Sequence, residues 1–119
     1  MSVTMNNEYG SIEVSTDVIA TVVGGAATEI PGVVGMASRQ QVRDGLNEIL
    51  RKENYAKGIV VKQSEGVIVD VYIIVSYGTK ISEVSKNVQE RVSYQLEASL
   101  GVQADAINIF VHGVRVQND

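Results

Sequence analysis

The clearest pattern in the chain is a strand hairpin followed by a long amphipathic helix. Residues 58–62 form one apolar strand, and a turn over 63–66 leads into a second strand over 67–76. Aliphatic side chains occupy every second position of the longer strand and therefore lie on one face: Val67, Val69, Val71, Ile73 and Val75. Gly101 follows the next helix at a place that predicts a left-handed cap. Within that helix, apolar residues recur every three or four positions: Ile81, Val84, Val88, Val92, Leu96 and Leu100.

The first part of the chain predicts a short strand and an apolar helix. Residues 1–9 are polar and unpatterned, which predicts a flexible N-terminus. Residues 10–15 alternate apolar and polar side chains as a strand does, and Ser15 or Thr16 then caps a helix. A wide apolar stripe follows until a Pro-Gly pair ends this helix. Two glycines inside it, at 24–25, are interpreted as a place of close packing.

The remaining segments complete the order of strands and helices. We expect a short strand over 33–36, a more polar helix over 40–52 and a final strand over 106–111 or slightly beyond. The pattern predicts an α+β fold, a two-layer sandwich in which a small β-sheet carries two long helices on one face. One domain over 10–116, followed by a short tail over 117–119, accounts for the whole pattern.

The strand pattern also predicts a second apolar face, which two helices on one side of the sheet cannot cover. Here a protein partner or a second copy could dock, with Tyr72 and Phe110 as the anchoring side chains. The alternative is that residues 38–56 fold back over this face. The candidate interaction face consists of Ile68, Tyr72 and Ile74 from the longer hairpin strand and of Phe110, His112 and Val114 from the final strand.

Composition excludes several classes of chemistry. The chain has no Cys, so disulfides, Cys-ligated zinc, iron–sulfur clusters and thiol catalysis are excluded. Its 10 basic and 14 acidic side chains give a net charge of −4, which disfavours binding to nucleic-acid phosphates. The first basic residue is Arg39, and the longest early uncharged stretch, over 18–28, is shorter than a membrane span. We therefore expect a cytoplasmic protein without a secretory signal and without direct membrane insertion.

The few residues that could carry chemistry lack partners at a recognisable spacing. His112 is the only histidine, and we interpret it as an ordinary strand residue rather than a pH sensor or a metal ligand. Asp70 lies in the middle of a strand and is interpreted as an exposed polar position rather than a general base. Residues 32–35 (GVVG) match the outline of an RNA-clamping GXXG loop, but the two valines and the distance to Arg39 argue against that role. We predict no catalytic residue, no cofactor and no metal site.

Eight short motifs, in this order, resemble those of the alkaline shock protein family of Gram-positive bacteria, also called envelope stress response proteins. They span residues 10–114, and the chain resembles a short, minimal member of that family. It departs from the usual pattern at Ser82, where proline is common, and over 38–56, which varies in the family. The motifs are GSIEV over 10–14, VIA over 18–20, EIPGV over 29–33, KGIVV over 57–61, VSYG over 75–78, VQE over 88–90, LG over 100–101 and INIFVHGV over 107–114.

The resemblance implies a non-catalytic cytoplasmic protein of cell-envelope stress response or homeostasis. It also implies action through self-association or through a protein partner, which in some relatives is anchored in the membrane. We therefore expect a homo-oligomer or a protein complex, placed at the membrane only through that partner, and no nucleic acid. A second class stays open, namely a lipid-related small-molecule sensor or an accessory subunit of a metabolic enzyme, which would need a closed apolar pocket.

Overall fold

The fold is given by a computed structural model that describes residues 1–38 and 52–116. Nearly all of the polar helix predicted over 40–52 lies outside the described residues, and so does the predicted tail over 117–119. The elements within the described ranges are β1 (Ser2–Asn7), β2 (Gly10–Ser15), α1 (Thr16–Thr28), β3 (Val33–Met36), a 3₁₀-helix (Lys52–Gly58), β4 (Ile59–Gln63), β5 (Val67–Ser76), α2 (Ile81–Leu100) and β6 (Ala106–Arg115).

Strand β5 is the centre of the larger sheet. On one side, β4 pairs with its first half over 67–71 and β3 with its second half over 73–75, both antiparallel. On the other side, β6 runs parallel to β5 over 68–76. With neighbours along both edges, β5 is buried over most of its length on both faces, as its nearly continuous apolar sequence requires. The hairpin predicted for β4 and β5 is confirmed.

Helices α1 and α2 lie together on one face of this sheet. Arg91 of α2 donates two hydrogen bonds to the Glu29 Oε2 atom at the end of α1, the shorter at 2.8 Å, and so joins the helices at the surface. The predicted α+β fold, with two helices on one side of the sheet, is confirmed for the described residues. As predicted, the aliphatic row of β5 packs beneath the helices in one core: Val69, Val71, Ile73 and Val75 with Ile19, Val23, Val88, Val92 and Leu96.

The helix ends follow the signals in the sequence. Ser15 caps α1, because its Oγ accepts a hydrogen bond from the Val18 N–H at 3.2 Å. Gly101 ends α2 in the left-handed conformation with φ +68°. Its N–H donates to the carbonyl of Glu97, which satisfies one of the orphan acceptors of the last turn.

One glycine of the α1 pair is a place of close packing. A Cβ at Gly24 would lie 3.3 Å from the Cβ of Tyr55 in the 3₁₀-helix, whereas a Cβ at Gly25 would meet nothing within 4 Å. The interpretation as close packing is therefore confirmed for Gly24 and wrong for Gly25. Tyr55 and Ala56 pack at the margin of the core on the helix side of the sheet.

The N-terminal segment forms a hairpin, not the flexible terminus predicted over 1–9. Strand β1 pairs antiparallel with β2 along its whole length, and Val3 is 1% exposed. The Met1 carbonyl accepts a hydrogen bond from the Thr16 N–H at 3.1 Å, which holds the start of the chain against α1. The prediction is wrong because two alternating apolar residues, Val3 and Met5, pack onto the core while the backbone pairs with β2. This alternation is the signal in the sequence that could have identified the strand.

Candidate functional site

The face of the larger sheet opposite the helices carries its own small apolar cluster. Tyr72 and Ile74 of β5 point to this side and are each 7% exposed. They pack with Ala37, which follows β3, and with partly buried Val34 and Val60 from the neighbouring strands. The predicted parity of β5 is therefore correct, but Tyr72 and Ile74 are buried rather than open.

Three rings form an aromatic stack at the centre of this face. The Tyr72 ring lies 4.9 Å from the Phe110 ring and 5.2 Å from the His112 ring, centroid to centroid, with interplanar angles of 17° and 22°. Phe110 is 39% exposed and His112 is also exposed. Of the two anchoring side chains predicted, only Phe110 is accessible, while Tyr72 supports it from below.

A bulge in β6 changes the predicted face at its far end. Val111 pairs with Ile73 and Gly113 with Ile74, so His112 is an extra residue in the ladder. The register after the bulge places Val114 beside Val75, whose side chain belongs to the core beneath the helices. The prediction that Val114 belongs to the outer face is therefore wrong, because one inserted residue reverses the alternation.

A buried carboxylate lies next to the apolar cluster. Asp70 is 6% exposed, which corrects its interpretation as an exposed position. Its Oδ1 accepts a hydrogen bond from Asn108 Nδ2 at 2.9 Å, and its Oδ2 lies 3.5 Å from Lys62 Nζ. A carboxylate can be buried only when it is paired in this way, and here the partners come from the strands on both sides. Ile68, which lies two residues before Asp70 on β5, is half-buried.

The alternative cover for this face is only partly described. Within the segment 38–56, residues 39–51 lie outside the described part of the chain. Its described end packs on the helix side, where Tyr55 and Ala56 contact the core. These two residues therefore do not cover the aromatic stack.

The GXXG-like segment is a turn followed by a paired strand. Gly32 adopts φ +100°, and its carbonyl accepts a hydrogen bond from the Ser76 N–H at 2.8 Å. Val33, Gly35 and Met36 then pair with β5. A backbone held in a sheet ladder does not provide the free loop with which GXXG motifs clamp a nucleotide chain.

Two open grooves flank the exposed ring of Tyr94 on α2. One, of about 470 Å³, lies between α2 and the start of β6 and includes Glu90 and Asp105 in its wall. The other, of about 360 Å³, lies between α2 and the Ile30–Pro31 turn. The sequence did not single out Tyr94, which is 63% exposed and has the Arg91 guanidinium 5.9 Å from its ring centre. Across residues 1–38 and 52–116, no group of three or more His, Asp and Glu side chains is placed to hold a metal ion.

Comparisons with known proteins find relatives that match this chain over nearly its whole length. The chain is 59% identical over 117 residues to the uncharacterized protein Spy1614 of Streptococcus pyogenes, covering 98% of this chain and 97% of that protein. It is 54% identical over 119 residues to the uncharacterized protein YloU of Bacillus subtilis, covering 99% of both. The B. subtilis protein YqhY is more distant, at 33% identity over 92% of this chain and 81% of its own length. No solved structure matches the chain significantly.

The family assignment rests on a match that includes both the helix layer and the outer face. A sequence model of the alkaline shock protein 23 family, described as having a cell envelope-related function, matches residues 4–116. That range extends from within β1 to the residue after β6 and confirms the resemblance stated from the eight motifs. No helix in the described residues is long and apolar enough to cross a membrane. The chain thus belongs to the alkaline shock protein 23 family, whose function is related to the cell envelope.

Proposed function

We propose that this protein is a non-catalytic cytoplasmic component of envelope stress response or homeostasis that acts by binding other protein chains through its outer sheet face. The observation that carries the proposal is the aromatic stack, in which Phe110 and His112 remain exposed above the buried Tyr72. The occupant of the face is a second copy of the chain or a partner protein, including one anchored in the membrane.

The stack has the physical character of an interface centre. Phe110 and His112 rest on Tyr72, so their rings are already ordered before a partner arrives, and little side-chain entropy is lost on binding. Aromatic side chains in ordered positions dominate the energetics of protein interfaces. Lys62, whose side chain is 53% exposed, adds a charged margin beside the apolar centre.

The electrostatics of the face favour binding over catalysis. Asp70 is the buried carboxylate closest to the candidate centre, and both of its oxygens are engaged by Asn108 and Lys62. A general base needs a carboxylate or imidazole that can reach a substrate proton. An acid that is already paired on both oxygens is instead a structural group that fixes three strands relative to one another.

A small-molecule sensor or an accessory subunit of a metabolic enzyme is the other function considered. It would need a closed apolar pocket, and the two grooves beside Tyr94 are open to solvent and lined in part by charged side chains. No specific observation favours this function over protein binding.

Sedimentation velocity tests the self-association part of the proposal. The double variant Phe110→Ser and His112→Ser removes the exposed rings, and Tyr94→Ser removes a still more exposed aromatic ring from α2 as a control. The wild type and the control are expected to form species heavier than the 12.8 kDa monomer as concentration rises, and the double variant is expected to stay monomeric with an unchanged circular dichroism spectrum. A wild type that is monomeric throughout, or a double variant that associates like the control, would contradict self-association through this face.

A further inference from the structure

Exposed apolar and basic side chains are combined at one end of the larger sheet. This basic-apolar end consists of the residues that follow β5, those that begin α2 and those that close β6. Its apolar members are exposed by 42% to 72%: Tyr77, Ile81, Val114 and Val116. The basic members, Lys80 and Arg115, are exposed as well.

Backbone hydrogen bonds hold these residues together. The Tyr77 N–H donates to the Arg115 carbonyl at 2.8 Å, which joins the ends of β5 and β6. The Thr79 hydroxyl donates to the Ser76 carbonyl at 2.7 Å and fixes the turn into α2. Lys80 is the N-cap residue of α2, and its side chain is exposed.

Charge is distributed unequally along the sheet. Among the described residues next to the basic-apolar end, the acidic one is Glu83 in the first turn of α2. At the opposite end of β5, Asp105 is bound to Val67 through both its carboxylate and its N–H. Glu65 lies in the β4–β5 turn of that same end. The N-terminal hairpin also meets this opposite end through Thr4 and Gln63, and its charged side chains are all acidic.

We propose that the basic-apolar end is a peripheral docking surface for an anionic lipid headgroup layer. A chain with a net charge of −4 is repelled by such a layer unless its acidic parts face away. Within residues 1–38 and 52–116, this end combines exposed cations with exposed apolar groups and lies away from the acidic hairpin. Tyrosine rings favour the membrane–water interface, and Lys and Arg extend their charges toward lipid phosphates. The contact is superficial, and it is independent of protein binding on the outer face.

The electrostatic contribution can be expressed as a change in vesicle affinity. Each basic side chain near an anionic surface strengthens binding by about 5.5-fold, so the loss of both cations weakens it by about thirtyfold. Neither Lys80 nor Arg115 forms an ion pair within residues 1–38 and 52–116, so both can be replaced without removing a described structural contact.

Vesicle co-sedimentation of the full chain tests this surface. The wild type should bind vesicles in which a third of the lipid is phosphatidylglycerol, should not bind pure phosphatidylcholine vesicles, and should dissociate as salt is raised. Lys80→Gln with Arg115→Gln should weaken binding about thirtyfold. The matched control, Lys57→Gln with Lys86→Gln, removes the same charge from other exposed positions and should bind nearly as well as the wild type.

Three outcomes would overturn the proposal. The first is a wild type that does not bind the anionic vesicles, and the second is equal binding to both vesicle types. The third is an equal loss in the test and control variants, since that would reflect net charge rather than this surface. Tyr77→Ser provides a separate check, because it should weaken vesicle binding without changing the salt dependence.

Discussion

At the scale of single residues, two adjacent glycines in α1 have different surroundings. Gly24 is buried with the Tyr55 side chain only 3.3 Å from the position of a Cβ, whereas Gly25 faces open space. A glycine inside a helix destabilises it by about 1 kcal/mol relative to alanine. At Gly24 the close approach of the 3₁₀-helix compensates for this penalty, and at Gly25 no described contact does.

Opposite changes in stability are therefore expected at these two positions. Gly25→Ala should raise the free energy of unfolding by up to about 1 kcal/mol, because it improves helix propensity without a clash. Gly24→Leu should lower it by about 1–3 kcal/mol, because the larger side chain must displace Tyr55. Thermal denaturation followed by circular dichroism measures both. A Gly24→Leu variant as stable as the wild type would show that Tyr55 does not pack there.

At the scale of elements, α2 depends on the conformation of the residue that ends it. Gly101 has φ +68°, and no neighbouring atom lies within 4 Å of the position of its Cβ. The constraint on this residue is therefore conformational rather than steric crowding by another element. The Val102 N–H then donates to the Leu96 carbonyl and directs the chain toward β6.

Two substitutions at Gly101 distinguish the effect of backbone strain from the effect of side-chain size. Gly101→Val should lower the free energy of unfolding by about 1–2 kcal/mol, since a β-branched residue is strained in the left-handed region. Gly101→Asn adds a side chain of similar size but tolerates that region, and should lose much less stability. Equal melting temperatures for the valine variant and the wild type would mean that Gly101 does not adopt this conformation.

Part of the packing between elements could be predicted from the sequence, and part could not. The spacing of apolar residues in β5 and α2 correctly predicted which sides of these elements pack together, because strand and helix geometry alone fix which side chains share a face. The pairing of Asp70 with Asn108 and Lys62 depends on how the strands are aligned in the sheet. Asn108 is 38 positions from Asp70, so the sequence around Asp70 does not indicate this partner. The hydrophobic pattern of β6 does not reveal the bulge at His112, and Val114 was therefore assigned to the wrong face. The N-terminal hairpin was missed because its apolar signal is only two alternating residues, Val3 and Met5, which pack onto the core.

At the scale of the whole molecule, the two proposed binding surfaces lie in different directions. The outer face presents Phe110 and His112 on a supporting Tyr72 ring. The basic-apolar end presents Lys80 and Arg115, away from the acidic hairpin. A protein with this arrangement can bind another chain across its sheet while one end faces a charged surface, which suits the envelope-related function of its family.

Site-specific photo-crosslinking in living cells tests whether the outer face binds protein. Phe110 is replaced by a photoreactive benzoylphenylalanine, and in a matched control Tyr94 of α2 is replaced in the same way. We predict a defined crosslinked product from position 110, to a second copy of this chain or to one other protein. This product should disappear when His112→Ser is added and should be absent from position 94. No product from position 110, or the same products from both positions, would show that the outer face does not bind protein specifically.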